Sequence, residues 1–451
     1  MAGTDAQDPT TRSSDGRITY RRLRAPAGDG EVLCEPPLKE SIAAIDANVR
    51  NLAGWNFSVG NCDVQALRRA ARAEACAAAV GFTGQYADVD STPINPQRIY
   101  VVGHQPDLFH PGVWLKNFCL DQLAKRDGAT ALHVLVDNDV VGKVALQVPA
   151  GGLESPQLRE VDLDQAAAPI PWEQRQLLDA QHFLRAGDAI ADEMRAFVNA
   201  PLATQLWQFA DEQNVQGANL GQLLARMRHR LERSWGLKTL EVPLSELCRG
   251  ATFRWFVAVL IARLPQVHGS CNRALAEYRR LHRLRSPSHP MPDLKSDGER
   301  FEAPFWVWNA QDPQRRALYV EQVRDHWRLS DDAGWAHRLP ADHGDLSELA
   351  QGLSDLENAG IKIRPRALTT TMYLRLFLSD YFIHGIGGAK YDQITDCVIE
   401  DIFGLKPPAF MIASGTRLLP IDLPDSDGHS VADFDRLLRD WDFHPEKVLP
   451  Q

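Results

Sequence analysis

Three short stretches carry the residue types that could do chemistry. The first, RIYVVGHQPDLFHPGVWLKN at residues 98–117, sets Gly103, His104, Gln105, His110, Gly112 and Lys116 between an apolar run and a helical repeat. A glycine directly after a buried strand lets backbone approach a ligand closely. The amides that open the next helix favour an anion. His104 and His110 could hydrogen-bond a phosphate, Lys116 could add charge, and Gln105 could hold a polar substrate. The bland reading is that His104 and Asp107 only cap a helix begun by Pro111. The second stretch, VLVDNDVVGK, ends on Asp137 and Asp139. Carboxylates two apart on a strand share a face and could fix an amine, a ribose hydroxyl or magnesium, although Asx-rich strand ends also form turns. In the third, FIHGIGGAKYDQITD, Gly385, Gly387 and Gly388 could wrap an anion, with Lys390 and Tyr391 just beyond.

No established signature covers these residues. The glycine cluster lacks the GK[ST] ending of a P-loop and the GxGxxG of a dinucleotide fingerprint. GxSxG and HExxH are absent as well. The aromatic run EAPFWVWNAQ at 302–311 suits either core packing or stacking on a base.

The elements that must position these residues read as an α/β protein: a Rossmann-like parallel-sheet core with a large helical insertion and a helical N-terminal arm. Ile99–Val102 is β-branched and aromatic, a helix follows from about 113 to 126, and ALHVLVDND supplies a second strand. Strand, helix, strand in about forty residues is a βαβ unit. The expected order is a frayed tail over 1–30, a helical region over 31–90, the first half of the core over 91–165, a helical insertion over 166–290, the second half of the core over 291–425 and a terminal helix over 426–451. GKVALQVP at 142–149 looks like a further strand.

Composition narrows the class. The 451 residues are 44% hydrophobic, enough for a large core, and carry 49 basic against 59 acidic residues for a net charge of −10. That balance argues against a general nucleic-acid or membrane-surface binder. Seven scattered cysteines show no CxxC spacing, which suits reduced thiols in a cytoplasmic protein. No apolar run reaches membrane-spanning length.

Taken in order, VVGHQPDLFHPG, HVLVDNDV and HGIGGAKYD resemble the bacillithiol-biosynthesis cysteine-adding enzyme family, through Gly103 with Gln105, Asp137 with Asp139, and Gly385 with Gly387 and Tyr391. The resemblance implies a Rossmann-like core related to class I aminoacyl-tRNA synthetases and nucleotidyltransferases. It also implies joining of an amino acid, cysteine in the family, to the amine of an amino sugar. The family's C-terminal coiled coil has no counterpart here, so any oligomer would form by another surface.

The expected function is therefore a nucleotide-dependent ligase or transferase using ATP or ADP, with magnesium as a companion ion and a small-molecule substrate. His104 and His110 would stabilise phosphate charge, Asp137 and Asp139 would hold the ammonium, and the 385–391 turn would close over the nucleotide. Two rivals stand beside it. One is a metal-dependent hydrolase with His104, His110, Asp137 and Asp139 as ligands. The other is a degenerate relative that binds nucleotide without turnover, since HPGV at 110–113 lacks the second histidine of the synthetase His-x-Gly-His turn.

Overall fold

The computed structural model describes residues 17–21, 23–341 and 345–421, with the strand Thr11–Arg12 and isolated helical positions at 433, 436, 438, 439 and 441. Most of the terminal helix read at 426–451 lies outside the described residues, as does much of the N-terminal tail.

Along the chain, β1 (Val32–Glu35), α1 (Leu38–Ala53) and α2 (Val64–Thr83) lead into β2 (Ile99–His104), α3 (Pro111–Asp127) and β3 (Thr130–Leu135). A hairpin of Ala145–Gly152 and Ser155–Asp162, α4 (Ala180–Met194) and α5 (Leu220–Ser234) precede β4 (Leu240–Pro243). Then come α6 (Ala251–Ala262), α7 (Leu264–His282), β5 (Arg300–Asn309), β6 (Asp312–Val323), β7 (His326–Ser330) and β8 (Ala336–Pro340). The chain continues with α8 (Ser347–Asn358), β9 (Ile361–Pro365), α9 (Ala367–Tyr373), β10 (Tyr381–His384), α10 (Ile386–Phe403) and β11 (Phe410–Gly415).

One six-stranded sheet has the order β4-β3-β2-β10-β11-β1. Its neighbours run parallel except β11 and β1, which are antiparallel. The mixed α/β architecture and this mostly parallel sheet are compatible with the expected Rossmann-like core. Strands buried on both faces read as continuous apolar runs, and β2 shows why. Tyr100 and Val102 pack with Ile45 of α1 and Leu120 and Leu123 of α3. Ile99 and Val101 face the opposite core, which holds Leu67 and Ala71 of α2 and Val398 of α10.

Two segments are arranged differently from the sequence expectation. The stretch 166–290 does carry helices, but β4 lies inside it and joins the core sheet. Its four residues include Glu241 and Pro243, which hide a strand from periodicity. The stretch 291–425 divides: β5 to β9 build a separate antiparallel sheet ordered β9-β5-β6-β7-β8, and only β10 and β11 belong to the core. The strand expected at 142–149 is half of the exposed hairpin. Described residues of the expected frayed tail are also tied down, because Ile18 is buried beside Leu275 and Ile394 and Gly30 N–H donates to Thr416 O at 2.9 Å.

Among the described residues, no helix is long and apolar enough to cross a membrane.

Candidate functional site

From β2 the chain runs outward one way, through β3 to β4, and from β10 it runs the other way, to β11. The adjacent pair β2 and β10 is therefore a topological switch point, where a crevice opens at the strands' carboxyl ends. Their register sets Tyr100, Val101 and Val102 beside Tyr381, Phe382 and Ile383, so Gly103–His104 and His384–Gly385 emerge side by side. A cavity of about 820 Å³ lies over these ends. Its apolar wall comes from α7, the 290–294 segment and α9, and its far end from β5 and β6.

Local chemistry explains the first rim. His110 is the N-cap of α3, its Nδ1 accepting from Gly112 N–H at 3.1 Å, and Pro111 starts the helix. Pro111 does begin the helix, but its cap is His110, which also lines the cavity, and not His104 or Asp107. Gly112 must be a glycine: a Cβ there would stand 2.7 Å from Gly415 O, a backbone atom of β11 that cannot swing aside. Gly112→Ala is expected to destabilise by about 1–3 kcal/mol, as overpacking does. A denaturation midpoint equal to that of the parent would contradict this.

One turn later, Lys116 is 4% exposed and points back to the strand end, where Nζ donates to Gly103 O at 3.0 Å. Burial pushes its ammonium down to about 8, with no neighbouring carboxylate to offset the cost. His104 beside it is pushed down to about 3 by burial and then by the Lys116 charge. It is therefore a neutral imidazole at physiological pH.

The second rim is the start of α10. The expected glycine-rich turn is a strand running straight into a helix: Gly385 is the N-cap, in extended conformation, and supplies no side-chain cap. The first-turn amides, left without intrahelical partners, open on the cavity at Ile386, Gly387 and Gly388. Behind them His384 Nε2 pairs with Asp392 Oδ2 at 2.9 Å, and Arg375 Nη1 lies 2.5 Å from the same oxygen.

Asp137 and Asp139 do not share a face. β3 ends at Leu135, and the turn that follows directs Asp137 away from the cavity, where it accepts from Ser245 N–H at 2.9 Å and from the Ser245 hydroxyl. Burial and then the nearby Glu173 push its carboxyl up to about 7. A folded value above the ordinary 3.8 means that the folded state binds more protons between these limits, so stability falls as pH rises from about 4 to 7. Asp137→Asn is expected to flatten that fall. Denaturation midpoints measured across this range check it, and an unchanged slope would refute the assignment.

Asp139 does line the cavity, yet it is already satisfied, accepting from Val140 N–H at 2.9 Å, Arg315 Nη1 at 2.8 Å and the Gln105 amide. It holds Arg315 and Gln105 in place. Gly103, His104, His110, Gly112, Lys116, Asp139, Gly385, Gly387, Gly388 and Tyr391 all line one cavity. Gln105 stands behind Asp139, and Lys390 lies off the cavity beside His282 of α7, whose imidazole is lowered by its own burial and then by the Lys390 charge.

Sequence reasoning missed His384 and Asp392, eight residues apart and joined only by the strand-to-helix geometry, and also Arg315 and Arg366. Of the aromatic run, Phe305 and Trp308 are core, while Trp306 lines the cavity. Guanidinium carbons of Arg315 and Arg366 lie 4.5 and 4.0 Å from its ring centroid. They arrive from β6 and from the end of β9, the neighbours on either side of β5, which takes the place a stacked base would need.

Among the described residues no three His, Cys, Asp or Glu side chains gather as a metal set. Of the four candidate ligands, His104, His110 and Asp139 line the cavity, while Asp137 is turned off it toward Ser245.

The sequence matches no protein-family model and no curated protein.

Proposed function

We propose that the protein is a nucleotide-dependent ligase or transferase with a Rossmann-like core, binding ATP at the switch point, activating a carboxylate and passing it to an amine. One observation carries the nucleotide part: Lys116, buried in the cavity wall without a carboxylate partner, faces the same space as the uncapped amides of α10. A buried ammonium is costly unless an anion completes it. A phosphate would be that anion, held by a charge and by helix amides together. His104 adds a neutral hydrogen bond on the same side.

The far end of the cavity suits the carboxylate to be activated. Arg315 and Arg366 flank Trp306 there; each already pairs one nitrogen with a protein carboxylate, Asp139 at 2.8 Å and Glu302 at 2.6 Å, and Arg366 Nε is buried without a hydrogen-bond partner. Guanidinium groups pair with carboxylates in a fixed planar geometry. The likeness to the cysteine-adding family makes an amino acid the first candidate and an amino sugar the first acceptor to examine.

Thermal unfolding across ATP, ADP, GTP and inorganic phosphate, with and without magnesium, tests the reading. ATP or ADP at a hundred times its dissociation constant adds about 2.7 kcal/mol of stability and raises the melting temperature. No response to any nucleotide sinks the proposal. A shift without product from any mixture of amino acids and amines would favour the binding-only relative.

A further inference from the structure

We infer that His384, held by Asp392, is the proton acceptor of this cavity, presenting a bare Nδ1 to an amine or hydroxyl acceptor. As a step in amide formation the inference rests on the ligase reading above. The dyad itself stands on its own geometry.

Asp392 is 1% exposed and its carboxylate is braced from two sides, by Arg375 Nη1 at 2.5 Å and by the Thr371 hydroxyl, which donates at 2.7 Å. Arg375 and the His384 contact hold its acid well below the usual carboxylate range, against the opposing effect of burial. An ionised carboxylate only accepts, so the 2.9 Å contact requires His384 Nε2 to carry the proton. The lone pair of the neutral ring is then on Nδ1. Burial lowers the imidazole, Asp392 works the other way, and the Arg375 and Lys116 charges on the flanking elements lower it further. Phe382 and Phe410 cover its sides, with ring centroids at 4.4 and 4.7 Å.

What keeps Nδ1 open is the absence of a side chain in the first turn of α10. A Cβ on Gly388 would sit 2.9 Å from Nδ1, while one on Gly387 would meet nothing within 4 Å. Gly388 is exposed and lines the cavity together with His384. This gives the glycine a second purpose beyond freeing backbone amides.

The step balances as follows. An acceptor nitrogen uses its lone pair to form the bond to the activated acyl carbon. The bond from that carbon to its leaving oxygen breaks, and its electron pair departs with the oxygen. The proton lost by the nitrogen moves to Nδ1, and the resulting imidazolium is stabilised across Nε2–H by Asp392. Proton transfer to a positioned base of this kind requires geometry first and a matched pKa second.

Diethyl pyrocarbonate tests the dyad without any knowledge of the substrate. Nδ1 attacks a carbonyl carbon, ethyl carbonate leaves with the bonding pair, and the Nε2 proton passes to Asp392 and water. Peptide mass spectrometry of the full chain should show His384 modified. Its rate should hold to a lower pH than that of an ordinary imidazole with pKa about 6.5, since burial lowers the ring. The modification should be lost in Gly388→Ala. An unreactive His384 in the parent, or equal reaction in Gly388→Ala, overturns the inference. Histidine nitrogen NMR on the parent is the independent readout: a protonated Nδ1 in the neutral ring overturns it too. ATP protection separates the two readings, because reaction at His384 that ATP leaves unchanged rejects the nucleotide site and keeps the dyad.

Discussion

Lys116→Met should weaken ATP binding by about 2–5 kcal/mol, a loss of roughly thirtyfold or more, because it removes one member of a buried charge pair. The same substitution should make the ligand-free protein more stable. Lowering the ammonium from the ordinary 10.5 to about 8 corresponds to roughly 3 kcal/mol spent keeping the charge buried. Methionine has a similar length and no charge to desolvate, and the one bond lost is that to Gly103 O. Opposite signs in the two states are a demanding expectation, since a merely structural lysine would lose stability in both. Calorimetric or fluorescence titration with ATP, beside melts without it, reads both effects.

The pH dependence follows from the same group. Between about 8 and 10.5 the folded chain binds fewer protons at Lys116 than the unfolded chain does, so stability rises with pH across that window. Below it both states are protonated and the full cost remains. A bound phosphate favours the ammonium, so ATP affinity should fall above about pH 8. Both trends should disappear in Lys116→Met, and an ATP affinity that stays level to pH 10 in the parent would argue that Lys116 does not meet the phosphate.

Asp380→Ala is expected to cost about 3–5 kcal/mol of stability, the penalty for stranding a buried partner. Asp380 sits at the start of β10, opposite end to the cavity. Its carboxylate lies 2.5 Å from Arg72 Nη2 and 3.6 Å from Arg68 Nη2, and Oδ2 accepts from Ile99 N–H at 2.9 Å. All three side chains are buried. The aspartate therefore neutralises α2's two arginines and clamps β10 to β2, the strand pair that forms the switch point. Burial and the Arg72 charge already press Arg68 down to about 9, and removing the carboxylate leaves two cations side by side. Asp380→Asn keeps an acceptor for Ile99 and should fall between parent and alanine. A urea midpoint within error of the parent for Asp380→Ala would refute this account.

The parts legible beforehand were those governed by local rules. The apolar run Ile99–Val102, the periodic segment after Pro111 and the run from Ala131 gave strand, helix and strand because each satisfies its own burial pattern within a few residues. Gly103, Lys116, Gly385, Gly387 and Gly388 stood out because glycine frees the backbone to approach a ligand and lysine can add charge beside it. β4 escaped because four residues containing Glu241 and Pro243 show no periodicity. Glu241 is tolerated there because the Arg228 guanidinium on α5 bonds it within the core, His133 Nδ1 lies 2.7 Å away and the Tyr86 hydroxyl donates to it at 3.2 Å.

Residue type and spacing alone determined that a polar turn joins a buried strand to a helix in a βαβ unit of a parallel sheet, and marked a late glycine cluster at 385–388. Tertiary structure decided which side chains share a space. It brought residues 103–116 and 384–392 together at the switch point, turned Asp137 away, satisfied Asp139 with Arg315 and placed Arg366 beside Trp306. The reason is physical: backbone preference and burial act on neighbours in sequence, whereas pairing a charge depends on what the completed sheet places within a few ångströms of it.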